Sequence, residues 1–177
     1  MTRSCVPART ANLLGALALA TADRVDRAAQ DAGGRSGTET AALVVLTTVL
    51  AGGSQEALRR VLALTQTGTT RLVTRLVDAG LVDRRDGPDG RTRALVPTAR
   101  GREIATGALA ARAAVLAGVL GRLDDAEQEQ AAVLLEKLLA GLVDAPDAPG
   151  RICRLCEPDV CGHPDRCPVT QASARPT

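Results

Sequence analysis

Four cysteines near the end of the chain, Cys153, Cys156, Cys161 and Cys167, follow the spacing C-x2-C-x4-C-x5-C, with His163 among them. Thiolates and imidazoles at such spacing are zinc ligands. Cys153 and Cys156 form a knuckle, Zn²⁺ takes four donors tetrahedrally, and Pro158, Gly162 and Pro164 favour the tight turns a small metal loop needs. A second knuckle is missing. Zinc held by the four thiolates, with His163 spare or replacing one of them, is the first expectation. The same thiols suit a reversible disulfide or thiol switch. They also suit an iron–sulfur cluster, or are incidental to a loose tail. Cys5 sits apart in a short leader as a plain thiol.

A second group of side chains could hydrogen-bond rather than ligate. Gln66, Thr67, Thr70, Arg71, Thr74 and Arg75 recur along one face of a helical stretch, and Arg84, Arg85 and Arg93 flank it downstream. Gln66, Thr67 and Thr70 stand near the helix start, where base edges could be read, and Arg71 can fork onto a guanine. Thr74 and Arg75 suit phosphates, which orient a protein without specifying sequence. The plain alternative is a solvated helix face.

The elements that carry these residues read clearly. Thr65 is a plausible N-cap, whose hydroxyl accepts from the free N–H groups of the first turn. Leu72, Val73, Leu76 and Val77 then recur at helical spacing and face a core. Gly80 suits the residue just past the helix end. Leu81 and Val82 begin a strand, Arg93 to Val96 returns it, and DGPDG from Asp86 to Gly90 supplies the turn. A helix with a polar N-terminal face followed by a basic hairpin is a winged helix-turn-helix.

The stretch resembles the DNA-binding core of the MarR family of bacterial transcription regulators. The resemblance rests on Leu64, Thr65, Arg71, Leu72, Val73, Arg75 and Leu76 in the helix, and on the run Ala79-Gly80-Leu81-Val82-Asp83-Arg84-Arg85. Asp89-x-Arg91 at the wing tip and Thr98-x-x-Gly101 at the next helix complete it. Pro97, Gly68 and Thr69 depart from the family pattern, which favours Leu at the first position and larger or more helix-favouring residues at the other two. The resemblance implies that Asp89 organises the wing and that Arg91 enters the minor groove. It implies a DNA-bound homodimer, repression as the default, and a small, often aromatic, acid as effector. With no Phe, Tyr or Trp in the chain, a pocket for that effector must be aliphatic with arginine or hydroxyl groups.

The remaining sequence fits a mainly α fold with a two-stranded β wing and N- and C-terminal dimerisation helices. At 177 residues the chain is one domain plus an appendage. Net charge is only +2, but between Ser54 and Glu103 ten arginines face six acids, so the positive excess sits in the DNA-binding core. Helices are expected over 10–31, from Thr38 as N-cap to about Leu50, from Ser54 to about Leu62, over 99–121, and from a capping box at Asp124–Glu127 to Val143. The last carries Val133, Leu134, Leu135, Leu138, Leu139, Leu142 and Val143, more apolar surface than one face of a lone subunit needs. Two-fold operators require two-fold proteins, so this surface reads as a homodimer interface shared with the first helix.

The domain plan is a winged-helix and dimerisation domain over 1–143, a linker over 144–150, the cysteine motif over 151–168, and a disordered tail over 169–177. No segment is expected to reach the roughly 20 apolar residues of a membrane span. The expected setting is therefore the cytoplasm, with double-stranded DNA as partner and no membrane. The cytosol is reducing, so no structural disulfide framework is expected. Enzyme motifs are absent: the chain has one His and no H-E-x-x-H, phosphate loop or G-x-S-x-G. A zinc- or thiol-dependent enzyme, or a protein-interaction module built on the tail, remain the alternatives.

Overall fold

The computed structural model describes residues 7–87, 93–144 and 148–174. Helix α1 (Ala8–Gly33) is followed by α2 (Gly37–Thr48), α3 (Gln55–Val61) and α4 (Gln66–Asp78). Strands β1 (Val82–Asp86) and β2 (Arg93–Pro97) form an antiparallel pair. Helices α5 (Ala99–Leu120) and α6 (Asp125–Ala140) come next, then the short α7 (Ala148–Ile152) and α8 (Pro168–Ser173).

The core is built around α2. Its residues Thr40 to Leu46 are buried on every side, because α1, α3, β2 and α5 all pack against it. Leu58 of α3, Leu72, Val73 and Leu76 of α4, Leu81, Val82, Leu95, Ala105 and Ala108 complete one aliphatic cluster. With no aromatic side chain in the chain, leucine and valine supply the bulk and alanine lets α5 approach closely.

Helix starts follow local capping chemistry. The hydroxyls of Ser54, Thr65 and Thr98 accept from Ala57, Gly68 and Gly101 N–H, and Asp124 and Glu127 form the expected reciprocal capping box. The cap of α2 is Ser36, not Thr38. Ser36 is extended and accepts from Glu39 N–H, so Thr38 already lies in the first turn.

Three further expectations are corrected. Helix α7 begins inside the segment read as a linker. Helix α8 occupies most of the segment read as a disordered tail, with Pro168 at its first position, where the missing N–H costs nothing. Helix α5, at 22 residues and mean hydropathy 1.5, is long and apolar enough by composition to cross a membrane. In this fold its flank packs on α1, α2 and β2 instead. The turn between the wing strands, including Asp89 and Arg91, and the leader with Cys5 lie outside the described residues.

Candidate nucleic-acid interface and cysteine cluster

Helix α4 is two-faced. Thr69, Leu72, Val73 and Leu76 are buried, while Gln66, Thr67, Thr70, Arg71, Thr74 and Arg75 are exposed on the other side. Thr69 fits because its hydroxyl donates to Thr65 O at 2.9 Å. Gly68 fits because a Cβ there would press on Thr65 Oγ1 at 3.1 Å.

The six polar residues are not equivalent. Arg75 Nε donates to Glu39 Oε1 at 2.9 Å, tying α4 to the first turn of α2. Thr70 accepts from Gln55 Nε2 at 3.0 Å and donates to Gln66 O, so it locks α3 against α4. The side chains of Gln66, Thr67, Arg71 and Thr74 make no hydrogen bond or ion pair with another described residue. They are the part of the face left over for a ligand. Sequence reasoning missed Gln55 and Glu39, since partners 15 and 36 positions away leave no local signal.

The wing extends this surface. In register, Val82 pairs with Pro97, Arg84 with Leu95 and Asp86 with Arg93. Leu95 N–H also donates to Gly53 O at 2.9 Å, so the loop before α3 makes a further bridge to the wing. Arg84 is exposed, Arg85 leans on Asp83 at 3.3 Å, and Arg93 pairs with Asp86 at 2.7 Å. A polar cleft between Ser54, Gln55, Glu56, Arg59, Gln66 and Arg93 joins α3, the start of α4 and the wing. In it, hydrogen bonds from Arg59 and then Arg60 hold the Glu56 carboxyl down from 4.5 to about 2.

The wing base is clamped by the Thr98-x-x-Gly101 block. Thr98 Oγ1 donates to Gly80 O at 2.9 Å and accepts from Gly101 N–H at 3.1 Å, and Thr98 N–H donates to Leu81 O at 3.0 Å. A Cβ at position 101 would run into the Leu81 carbonyl oxygen. This block, read as a signature, is a packing device.

All four C-terminal cysteines are free thiols and converge. Cys156 Sγ and Cys161 Sγ stand 3.2 Å apart. Cys153 and Cys167 line the same cavities as that pair. The neighbouring Cys156 thiol holds Cys153 below the usual thiol range, and the Cys156 thiolate is itself disfavoured by Cys153 and by burial. Cys161 is largely exposed, but partial desolvation first, and then Cys156, push it up to about 11. His163 turns to Thr170, with Nδ1 to Oγ1 at 2.9 Å, so it fastens the loop to α8. Among the described residues no three His, Cys, Asp or Glu side chains are set as they stand to hold a metal ion.

The unit is docked, not dangling. Gly150 sits against Val61 so closely that a Cβ would approach Val61 Cγ2 to 2.9 Å, and Leu155 joins the edge of the core. Helix α8 packs on α6, and α7 on α3. Arg112 of α5 faces Cys156 and Cys161 across a cavity that Leu139 of α6 also lines.

A buried-backed helix presenting polar side chains beside a two-stranded basic wing defines a winged helix DNA-binding regulator. The MarR family model matches residues 33–92. A MarR family protein of Mycobacterium tuberculosis, solved in complex with DNA, is 30% identical, with TM-score 0.58, over 76% of this chain and 98% of that one. A probable transcriptional regulator from Pseudomonas aeruginosa is 28% identical with TM-score 0.52, over 70% of this chain and 95% of that one. The Staphylococcus aureus regulator MepR, at 17% identity and TM-score 0.64 over 75% and 97%, shares the fold. No curated protein matches at the same stringency. The chain belongs to the MarR family: it is a DNA-binding transcriptional regulator, not an enzyme.

Proposed function

We propose that the protein is a homodimeric repressor that reads a pseudopalindromic operator with α4 and grips the flanking backbone with the wing, in the cytoplasm. The observation that carries this reading is the exposed set Gln66, Thr67, Arg71 and Thr74, without partners among the described residues, on a helix whose opposite face is locked in the core. Gln66, Thr67 and Arg71, in the N-terminal half of α4, suit the major groove, where Arg meets guanine and Gln meets adenine, and Thr74 suits a phosphate. Arg84, Arg85 and Arg93 suit phosphates, and the family resemblance gives Asp89 and Arg91 the wing-tip role.

Dimerisation is supported by α1 and α6. Leu13, Leu14, Leu17, Val133, Leu134 and Leu138 are each about half exposed or more, between 50% and 59%. Helix α6 has no buried residue. Helix α8 covers only part of α6, so a partner burying its remaining apolar side chains would stabilise it, and a second copy also supplies the second half-site contact.

A small acid is the second reading. The M. tuberculosis relative has also been solved in complex with p-aminosalicylic acid, at 31% identity to this chain. Here an open cleft between α1 and α5 sets Arg24 and Arg27, with Asp31 beside them, over the aliphatic walls of Ala28, Ala114 and Val115.

The test is selection of duplexes from a random pool, followed by footprinting. A two-fold consensus bound by wild type and not distinguished from its mutated form by Arg71→Ala supports the reading. A pool that yields no consensus overturns it.

A further inference from the structure

The geometry points to a tetrathiolate site for a zinc-class divalent cation, built by Cys153, Cys156, Cys161 and Cys167, that staples the α7–α8 unit between the helix-turn-helix and α6.

A disulfide would account for two thiols. Here four converge, from the end of α7, the turn after it, the loop and the cap of α8. Cys167 is buried and Cys153 and Cys156 are half-buried, so three of the four sulphurs are turned inward beside the buried Val169. The loop is already wound for ligation. Cys156 N–H donates to Cys153 O at 2.9 Å, closing the knuckle, and Gly162 takes φ +67°, which its lack of a Cβ permits.

The spacing also discriminates. Zn–S bonds of about 2.3 Å set tetrahedral sulphurs about 3.8 Å apart, whereas a disulfide needs about 2.05 Å. At 3.2 Å the Cys156–Cys161 pair is collapsed thiol contact, short of the zinc edge by about half an ångström. As they stand, no three of the donors are set around an ion. A multi-iron cluster would have to drive the same sulphurs much farther.

On binding, each thiol gives its proton to solvent and its sulphur lone pair to the cation. Four thiolates and one M²⁺ leave a net charge of −2. Arg112 of α5 faces that charge across the cavity.

The position gives the site its consequence, which rests on the regulator reading. Gly150 abuts Val61 at the end of α3, and α8 lies on α6. A cation that fixes α7 to α8 therefore fixes α3 relative to α6, the first helix of the DNA-reading pair relative to the proposed dimer interface. Metal loss would loosen the hold of α7 on α3, and α3 in turn is tied to α4 through Gln55 and Thr70.

The experiment uses the full chain, purified anaerobically with reductant, and titrates it with Co²⁺ and then Zn²⁺. One cobalt per chain, with sulphur-to-cobalt charge-transfer bands and tetrahedral visible bands displaced stoichiometrically by zinc, is expected. Cys161→Ser, at an exposed position, and Cys156→Ser should each lose stoichiometric binding while keeping wild-type helicity. Hydrogen exchange should then show α3 amides gaining protection with zinc and losing it with chelator. Metal-free protein with four freely titrating thiols, a brown iron-containing protein, an intramolecular disulfide in the anaerobic preparation, or α3 exchange indifferent to zinc would each overturn the proposal. None of these readouts uses DNA, so failure of the operator reading is separately visible.

Discussion

At the scale of single residues, the two arginines of α4 separate by what they touch. Arg71 has no partner among the described residues, while Arg75 spends its Nε on Glu39. Arg71→Ala is therefore expected to lose about 1–3 kcal/mol of discrimination between operator and mutated operator, measured by competition binding. Arg75→Ala should weaken all sequences alike, and Glu39→Gln should reproduce part of that loss by freeing α4 from α2. Glu56 makes a different case. Its folded pKa lies near 2, below the ordinary 4.5, because Arg59 and Arg60 bond to the carboxylate. Such a group stabilises the fold fully above its unfolded pKa, and the contribution fades as pH falls from about 4.5 through about 2. All three side chains are substantially solvated, so screening keeps the effect small. Acid melts of Glu56→Gln and wild type should coincide below pH 2 and separate slightly above pH 5. At neutral pH the carboxylate also masks two arginines beside the reading helix. Glu56→Gln should bind non-specific duplex more tightly and with a steeper salt slope, because two more cations reach phosphate.

At the scale of elements, the clearest prediction concerns α5. Gly101→Ala places a methyl against the Leu81 carbonyl oxygen and Leu43 in a packed wing base. It should cost about 1–3 kcal/mol, read as a lowered thermal midpoint. Gly107→Ala in the same helix meets nothing within 4 Å and should be neutral or gain up to about 1 kcal/mol from helix propensity. How much of this could be read from sequence follows from range. Ser54, Thr65, Thr98 and the Asp124 box were readable because a cap and its N–H lie three residues apart. Ser36 was missed in favour of Thr38 because two hydroxyls stand two residues apart, and only Glu39 N–H decides between them. Helix α8 was missed because Pro168 and the polar residues after it lack an apolar period. Val169 is buried by docking, which no local pattern announces. The polar face of α4 was readable from its period. The loss of Arg75 and Thr70 to internal bonds was not, since Glu39 and Gln55 belong to other helices.

At the scale of the whole molecule, the described chain leaves its ends unfinished. The lobe holding α2, α3, α4 and the wing has a closed core, and family likeness concentrates there, over residues 33–92. The first half of α1 and all of α6 do not share that core: residues 8–20 are exposed, and α6 buries nothing. Leu134 and Leu138 lie one turn apart on α6, 59% and 50% exposed, so their side chains form one continuous apolar ridge. Fully burying a leucine is worth about 1.5–3 kcal/mol. In a two-fold interface each residue is buried twice, so the pair counts four times. Replacing both by Glu sets four carboxylates in apolar contact while leaving the closed core of each subunit intact. The double variant is expected to sediment as a monomer with a largely retained helical signal, and to bind a half-site and a full operator with similar affinity. Wild type should sediment as a dimer at micromolar concentration and favour the full operator, since joining two half-sites on one rigid protein makes the second contact intramolecular. A double variant that remains dimeric would move the interface off α6. Wild type that sediments as a monomer would leave the exposed leucines of α1 and α6 to a different partner.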